Sequence, residues 1–262
     1  MTTEVNSMPA FPAQLPETRQ HLVRAEITKL RATRSTWVLG TIAVLFCVLW
    51  TVLTALVFGD NLPADQQIEN VYQNAQQGYL FALIFGILGM AAEYRHQSVT
   101  WSFLLTPRRA RVLAAKAAAY GLVAGPILAL ACTAGTVAAA IGMLAGQGRP
   151  LFTVGVVPVL AGSALATVLY TVIGLSLGAL LRHQVGAIAV AFVWFYYAEF
   201  LLVWYLPAVG RWVPSGAAKA LSGWHLETAA LLPAWAGGVV MLGYAALLGT
   251  AAAAVALRQD VT

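Results

Sequence analysis

The sequence predicts an all-α integral membrane protein with six transmembrane helices. Of its 262 residues, 60% are hydrophobic and only 10% are charged, whereas about 25% of the residues of a soluble globular protein are charged. A membrane-spanning helix needs about 20 mainly apolar residues to cross the ~30 Å hydrocarbon layer. Six runs reach that length, the second only together with its flanks, at about residues 37–58, 76–92, 112–145, 152–181, 184–206 and 233–257.

Basic residues are distributed unevenly between the two sides of the predicted membrane. Cytoplasmic loops carry an excess of Lys and Arg, and twelve basic residues lie on one side against three on the other. Both termini are therefore predicted to be cytoplasmic. The inner set is Arg19, Arg24, Lys29, Arg31, Arg34, Arg95, Arg108, Arg109, Arg111, Lys116, Arg182 and Arg258, and the outer set is Arg149, Arg211 and Lys219.

The first 36 residues are predicted to form two segments outside the membrane. Residues 1–16 contain three prolines and few large apolar side chains, which is typical of disorder. Residues 17–36 carry Val23 and Ile27 at helical spacing among basic residues, which predicts an amphipathic helix on the inner membrane face. The alternative is a basic flank that only fixes the topology. The six-span domain then covers residues 37–262.

The loop between the second and third runs has an apolar pattern that a simple tether does not need. Its apolar residues alternate with hydroxyl residues and are followed by Thr106-Pro107, a favourable start for a helix. Basic residues then occupy a first turn where they oppose the helix dipole, which indicates lipid phosphates, topology or a partner. We expect the loop to contact a cytosolic partner. The apolar stretch comprises Ser98, Val99, Thr100, Trp101, Ser102, Phe103 and Leu104, and the basic cluster comprises Arg108, Arg109 and Arg111.

The segment between the fifth and sixth runs is too apolar for a solvated loop and too interrupted for a span. Residues 208–232 contain Trp212 and Trp224, and prolines lie at the start, within and just after the segment. Irregular backbone at membrane depth is tolerated where protein covers it, and tryptophan prefers the membrane interface. We therefore predict short re-entrant helices in the outer leaflet.

Motifs that would indicate an enzyme are absent or out of context. No lysine follows a glycine as a Walker A motif requires, so this chain should bind no nucleotide. Residues 174–178 match Gly-x-Ser-x-Gly, but they lie in an apolar run without a nearby acid, which favours a small-residue helix contact at Gly174 and Gly178 over a nucleophile. The scattered histidines and the apolar surroundings of Cys47 and Cys132 predict neither a metal site nor a disulfide. The basicity reports topology, so no nucleic-acid partner is expected.

Glycine and proline in the third and fourth runs predict helix kinks. The relevant residues are Gly125-Pro126 in the third run and Pro158 with Gly162 in the fourth. A proline inside a helix removes one hydrogen bond and clashes with the preceding turn. Such kinks serve packing more often than gating.

The fifth run contains the densest aromatic cluster and one carboxylate. An ionisable group at membrane depth costs about 2–3 kcal/mol, so Glu199 is a functional candidate. It could bind a cationic substrate, pair with Arg211 or hydrogen-bond a nearby tyrosine; alternatively, it reaches the outer interface. A pathway for amphiphilic cargo would use aromatic stacking surfaces. The candidate pathway residues are Trp194, Tyr196, Tyr197, Glu199 and Phe200.

Three motifs lie in order near the inner ends of the first three runs, at residues 26–31 with 33–37, at residues 93–100, and at residues 106–109 with Lys116. In this order and spacing, the chain from about residue 17 onward resembles the permease subunits of type-2 ATP-binding-cassette (ABC) exporters. That family commonly has a small residue or glycine near Gln97, so the sequence departs from the family pattern there.

The resemblance implies a role for each segment outside the spans. Residues 17–36 would be the interfacial connecting helix, residues 98–104 a coupling helix that seats in a cytosolic ABC ATPase, and residues 208–232 the re-entrant outer helices. Two permeases, identical or related, and two ATPases would form the working complex. ATP and Mg would be bound by the ATPase, so this chain would bind no cofactor and would not be an enzyme.

We therefore expect a permease that exports a hydrophobic or amphiphilic substrate, such as a drug, antibiotic or lipid-like molecule, across a bacterial cytoplasmic membrane. One alternative is an ion- or proton-driven transporter in which Glu199 would be the proton site. Another is a membrane anchor or sensor that recruits a cytosolic partner. The sequence shows no evident internal repeat, which argues against the common secondary transporters.

Overall fold

A computed structural model of the protein describes residues 19–57, 63–95, 109–224 and 231–258. Within these ranges all regular secondary structure is helical, so the all-α prediction is confirmed. The helices are α1 (Arg19–Ala32), α2 (Arg34–Val57), α3 (Ala64–Gln73), α4 (Tyr79–Arg95), α5 (Arg109–Ala119), α6 (Gly125–Gly146), α7 (Val156–Leu181), α8 (Gln184–Ala191), α9 (Glu199–Tyr205), α10 (Pro207–Gly210), α11 (Pro214–Leu221) and α12 (Ala234–Arg258). A 3₁₀ turn (Asn74–Gly78) precedes α4, and π segments (Tyr120–Ala124 and Phe192–Ala198) precede α6 and α9.

Five helical segments in the described ranges are long and apolar enough to cross a membrane. The predicted second span corresponds to α4, which has 17 residues and is continued toward its N-terminus by the 3₁₀ turn and α3. By itself α4 is shorter than the ~20 residues that a bilayer crossing normally takes. The five segments are Arg34–Val57, Ala114–Gly146, Val156–Leu181, Gln184–Tyr205 and Ala234–Val255.

The helix α7 is the centre of the bundle and packs most closely against α4. In its most apolar stretch, 56% of the residues are buried, against 22–33% in the other four membrane-length segments. A Cβ atom on Gly86 of α4 would collide with the backbone of α7, and one on Gly174 of α7 would collide with the carbonyl oxygen of Leu83. One turn further, a Cβ atom on Gly178 would lie 2.7 Å from the Ile87 oxygen. The predicted packing role of Gly174 and Gly178 is thus confirmed.

The first and last helices both reach the end of the bundle where α5 lies. Both α1 and α12 contact α5. The N-terminal part of α12 lies at the opposite end, beside α11, where a Cβ atom on Gly237 would be 2.5 Å from the Ala217 oxygen. The C-terminal part of α12 therefore shares one end of the bundle with α1.

The opposite end is closed by α3 and the turn before α7. The Tyr72 hydroxyl donates a hydrogen bond to the Leu151 carbonyl at 2.8 Å, and the Tyr72 ring stacks on Phe152 with centroids 5.9 Å apart. Gln147 donates from Nε2 to the Ala55 carbonyl at 3.0 Å. These contacts tie α3, the end of α2 and the α6–α7 turn into one cap.

The short helix α11 is inserted between α7 and α12. Its Ala217 and Ala218 are fully buried, and the backbone of α7 at Gly162 touches the Leu221 carbonyl so closely that a Cβ atom would not fit. The Ser222 hydroxyl, just after α11, bonds to Gln76 Oε1 in the 3₁₀ turn at 2.5 Å. Helix α11 is therefore packed among the spans.

Proline acts differently in the third and fourth spans. In the third, the π segment ends immediately before Gly125 and Pro126, so the helix is irregular where the kink was predicted. In the fourth, α7 begins at Val156, which places Pro158 in the first turn. The N–H groups of a first turn have no partner within the helix. Pro158 therefore removes no hydrogen bond from the helix, and the kink predicted in the fourth run is absent from the continuous helix α7.

Candidate functional site

A cavity of about 540 Å³ lies beside the fifth span, toward the end of the bundle that carries α3 and α11. Its walls come from the second π segment and α9, from α7, from the 3₁₀ turn before α4, and from α11 with the residues just after it. Eight of its thirteen lining residues are aromatic. Small-molecule sites are concave, of about 300–1,000 Å³, and mostly apolar with a few polar groups. This aromatic cavity has the size and composition of such a site.

The π segment Phe192–Ala198 forms the aromatic wall of the cavity. A π turn holds more residues than an α turn and is frequent at functional sites. Within Phe192–Ala198, Tyr196 stacks on Phe192 with ring centroids 5.1 Å apart, and the Tyr197 ring meets Tyr196 edge-on at 5.4 Å. Three consecutive side chains, Phe195, Tyr196 and Tyr197, line the same cavity as a result.

Lys219 of α11 brings a positive charge to the aromatic cavity. Its ammonium lies 5.2 Å from the ring centroid of Trp224 and 6.0 Å from that of Trp204, within the range of cation–π attraction. Burial lowers the pKa of the Lys219 amine, because removal from water disfavours the charged form. No carboxylate of the described ranges forms an ion pair with it.

Two lining residues also hold buried polar atoms without a hydrogen-bond partner in the described part of the protein. These atoms are Tyr170 Oη and Trp224 Nε1. An unpaired buried donor costs about 1–3 kcal/mol. A polar group of a ligand placed here would recover that energy, which supports a binding role for the cavity.

Glu199 lies in the wall behind the cavity. The residue exposes 0% of its surface, and its Oε2 accepts a hydrogen bond from the Ser215 backbone N–H at 2.7 Å. Ser215 is the second residue of α11, so the carboxylate meets one of the N–H groups that a helix leaves unpaired, at the positive end of the helix dipole. Among the residues that the structure covers, Glu199 forms no ion pair with Arg211 or any other cation. The contact holds α11 to the fifth span.

The structure brings together only part of the predicted pathway. Tyr196, Tyr197 and Phe200 line the cavity, whereas Trp194 is half-exposed and does not line it. Sequence reasoning used Lys219 only for topology. The signal that could have found it is a lone lysine in a segment too apolar for a solvated loop. The contributions of α7 and the 3₁₀ turn come from distant parts of the chain and left no local signal.

A buried ion-pair cluster joins three helices at the other end of the bundle. Glu26 of α1 bonds to Lys116 of α5 and to Lys29, each at 2.8 Å. Lys116 also donates to the Gly89 carbonyl of α4 at 3.0 Å, and its side chain is 3% exposed. Burial opposes ionisation of Glu26, but the two lysines outweigh it and hold the pKa of the Glu26 carboxyl below its ordinary value. Helix α1 is thereby fixed to α4 and α5.

The structure describes only some of the other residues that the sequence predicts at the inner face. Arg31 borders a second, apolar groove of about 640 Å³ between α1, α2, α4 and α6. The coupling stretch at residues 98–104, together with Arg108 and the predicted tail at residues 1–16, lies outside the described residues. The side chains of Arg24, Arg31 and Arg34 are exposed, and the backbone of Arg109 and Arg111 lies in the first turn of α5.

The all-helical bundle with its membrane-length helices defines a multi-pass membrane protein. Residues 22–198 match the family described as ABC-2 family transporter protein. This match covers more than half of the chain, so the protein belongs to the ABC-2 transporter family, and the resemblance to type-2 ABC permeases is confirmed. No curated protein matches the chain. The family match ends just before Glu199, so Lys219 and the whole of α11 lie beyond it.

Proposed function

We propose that this protein is the transmembrane permease subunit of an ABC exporter that moves a hydrophobic or amphiphilic substrate across the cytoplasmic membrane. The observation that carries the proposal is the aromatic cavity within a bundle of the ABC-2 family. An anchor or sensor needs no such cavity between its spans. The chemistry that drives transport belongs to a separate ATPase subunit, which binds the ATP and Mg.

The ATPase would engage the segment between α4 and α5. Residues 98–104 form the coupling helix in this proposal, and the Glu26–Lys116 pair supports it because that pair fixes the helices on both sides of the segment to α1. A push on the segment would then move α1, α4 and α5 together. Two ATPases and a second permease, identical or related, complete the transporter.

The membrane arrangement follows from the ends of the bundle. Helix α1 and the C-terminal part of α12 share one end, which requires an even number of crossings between them. Five helices have spanning length, so we assign α4, extended by the 3₁₀ turn, as the sixth span. The shared end would face the cytoplasm of a bacterium, with α1 on lipid of the inner leaflet and with α10 and α11 as re-entrant outer helices.

Reconstitution with the ATPase that co-purifies in mild detergent tests the proposal. We expect substrate movement in proteoliposomes to require ATP and to stop with vanadate. Trp101→Ala should uncouple hydrolysis from transport without loss of insertion, because an apolar side chain on a cytosolic segment is best explained by a partner surface. Trp235→Ala is the matched control, since Trp235 is 74% exposed and lies at the start of α12.

Two results would contradict the proposal. One is transport that an uncoupler abolishes and vanadate leaves intact, which would indicate an ion-driven transporter. The other is equal transport and equal ATP hydrolysis in Trp101→Ala, Trp235→Ala and the unchanged protein, which would remove the coupling assignment.

A further inference from the structure

The polar groups that face the aromatic cavity include two that can only donate a hydrogen bond, the Lys219 ammonium and the Trp224 indole N–H. The Trp224 N–H is buried and has no hydrogen-bond partner among the described residues. The amides and hydroxyls of the lining both donate and accept. A ligand that satisfies Lys219 and Trp224 must therefore carry acceptors.

The Glu199 carboxylate, the charged acceptor near the cavity, is withheld from it. Glu199 is fully buried and is not a lining residue; its Oε2 is occupied by the Ser215 N–H. Its Oε1 is buried and exposes no surface to the cavity. The remaining acceptors of the lining, such as the amides of Gln76 and Gln77, are neutral. Among the described residues, a cationic ligand would therefore meet the Lys219 ammonium and no carboxylate in the lining.

The aromatic rings of the cavity already hold a cation of their own. Lys219 lies over Trp204 and Trp224 at cation–π distance. An aromatic cage can bind a quaternary ammonium, but here the ammonium of Lys219 occupies two of the ring faces. The other lining rings, including Phe195, Tyr196 and Phe200, offer apolar surface for the body of a ligand.

We propose that the aromatic cavity binds an amphiphilic anion, with Lys219 as the counter-ion of its carboxylate or phosphate group and the aromatic wall around its apolar body. The inference rests on the proposed export function, whose class of cargo it names. The anion is either the transported cargo or the head group of a resident anionic lipid.

Tryptophan quenching by brominated amphiphiles tests this binding on the full-length permease in phosphatidylcholine nanodiscs without the ATPase. The probes are 11-bromoundecanoate and a bromoundecyl trimethylammonium ion of the same chain length. We expect the anion to bind at least about tenfold more tightly than the cation, because the anion gains a charge-assisted hydrogen bond to Lys219 and the cation is repelled by it; tenfold in affinity corresponds to about 1.4 kcal/mol. Equal affinity of the two probes would overturn the proposal.

Three variants locate the binding at Lys219. Lys219→Gln should raise the Kd for 11-bromoundecanoate about tenfold, whereas Lys219→Arg should keep it within about threefold, since the charge remains. Arg211→Gln is the matched control, because it removes an exposed cation of the same outer segment that does not line the cavity; its Kd should not change. An unchanged Kd in Lys219→Gln, or an equal rise in Arg211→Gln, would overturn the assignment. The comparison of the two probes in the unchanged protein needs no variant to fold.

Added phosphatidylglycerol distinguishes the two sources of the anion. If phosphatidylglycerol competes with 11-bromoundecanoate, the cavity holds a resident anionic lipid. If it does not compete, the cavity is a site for cargo. Either result is consistent with the preference for an anion. Failure of the anion preference would leave vanadate-sensitive transport untouched. Failure of that transport with intact anion binding would overturn the exporter proposal alone.

Discussion

Lys116 is the residue whose loss should most destabilise the end of the bundle that carries α1. Lys116→Ala leaves the Glu26 carboxylate buried without its main partner, and breaking a buried pair on one side costs about 3–5 kcal/mol. Removing both charges with Glu26→Gln and Lys116→Gln together should cost less. Thermal unfolding can be followed with a thiol-reactive dye, because Cys47 and Cys132 are buried free thiols.

Lys29→Ala is the control for this prediction. Lys29 also pairs with Glu26, but its side chain is 54% exposed, and exposed ion pairs contribute about 0–1 kcal/mol. We expect a midpoint close to that of the unchanged protein. Equal losses in Lys29→Ala and Lys116→Ala would show that burial of the pair has no energetic consequence.

The ion pairs of the Glu26 carboxyl should also make the stability of the folded protein depend on pH in the acid range. Its pKa in the folded protein lies below the ordinary value of 4.5, so the folded state binds a proton less readily than the unfolded state. The stabilisation is therefore complete above about pH 4.5 and is lost as the pH falls through the lower folded value. Unfolding midpoints measured from pH 7 to pH 3 should fall less steeply in Glu26→Gln. Parallel curves for the two proteins would contradict this assignment.

Glu199 should behave as a positioning residue for α11. Glu199→Gln keeps an oxygen for the Ser215 N–H and should retain both fold and binding of 11-bromoundecanoate. Glu199→Ala leaves that N–H unpaired and should lower the free energy of unfolding by about 1–3 kcal/mol. The measurements are the thiol-dye midpoint and the quenching Kd of both variants. Loss of binding in a fully stable Glu199→Gln would instead assign the carboxylate a direct contact with the ligand.

At the scale of the helical elements, the contact between α4 and α7 leaves no room for added volume. Gly174→Val would push a branched side chain into the Leu83 backbone, and overpacking costs about 1–3 kcal/mol or more where the backbone must move. Gly142→Val is the matched control, because a Cβ atom on Gly142 of α6 meets nothing within 4 Å. We expect the thiol-dye midpoint to fall in the first variant only. A similar midpoint in both would show that α4 and α7 can separate without cost.

Helix positions were largely predictable, as was the irregularity next to Gly125 and Pro126, whereas the departure from regular helix in the fifth span was not. Apolar runs located the five membrane-length helical segments to within a few residues, because about 20 apolar residues are favourable only across a bilayer. The π segment at Phe192–Ala198 gave no sequence signal. Its side chains pack against α7 and against each other, so it depends on neighbours that no local pattern contains. The start of α7 at Val156 was missed for a similar reason, since the preceding residues pack under α3.

For the whole molecule, the strongest test is the side of the membrane that each end of the bundle faces. Val154→Cys lies in the α6–α7 turn and is 96% exposed, so a membrane-impermeant maleimide should label it in intact cells. Thr262→Cys should be labelled only after permeabilisation. The native thiols are buried and should stay silent in the folded protein. The opposite labelling pattern would invert the topology and place the aromatic cavity toward the cytoplasm.

The sequence by itself determined the class of this protein, because hydrophobic length, basic-residue bias and the motifs around the first three spans are local properties. It also marked the aromatic fifth span, since Tyr196, Tyr197 and Phe200 are neighbours in the chain. Only the tertiary structure decided which charge meets the cavity. Lys219 lies 20 residues after Glu199, and their positions relative to the cavity depend on the insertion of α11 between α7 and α12. Because of that insertion, the Glu199 carboxylate contacts the N-terminus of α11 and the Lys219 ammonium faces the aromatic wall.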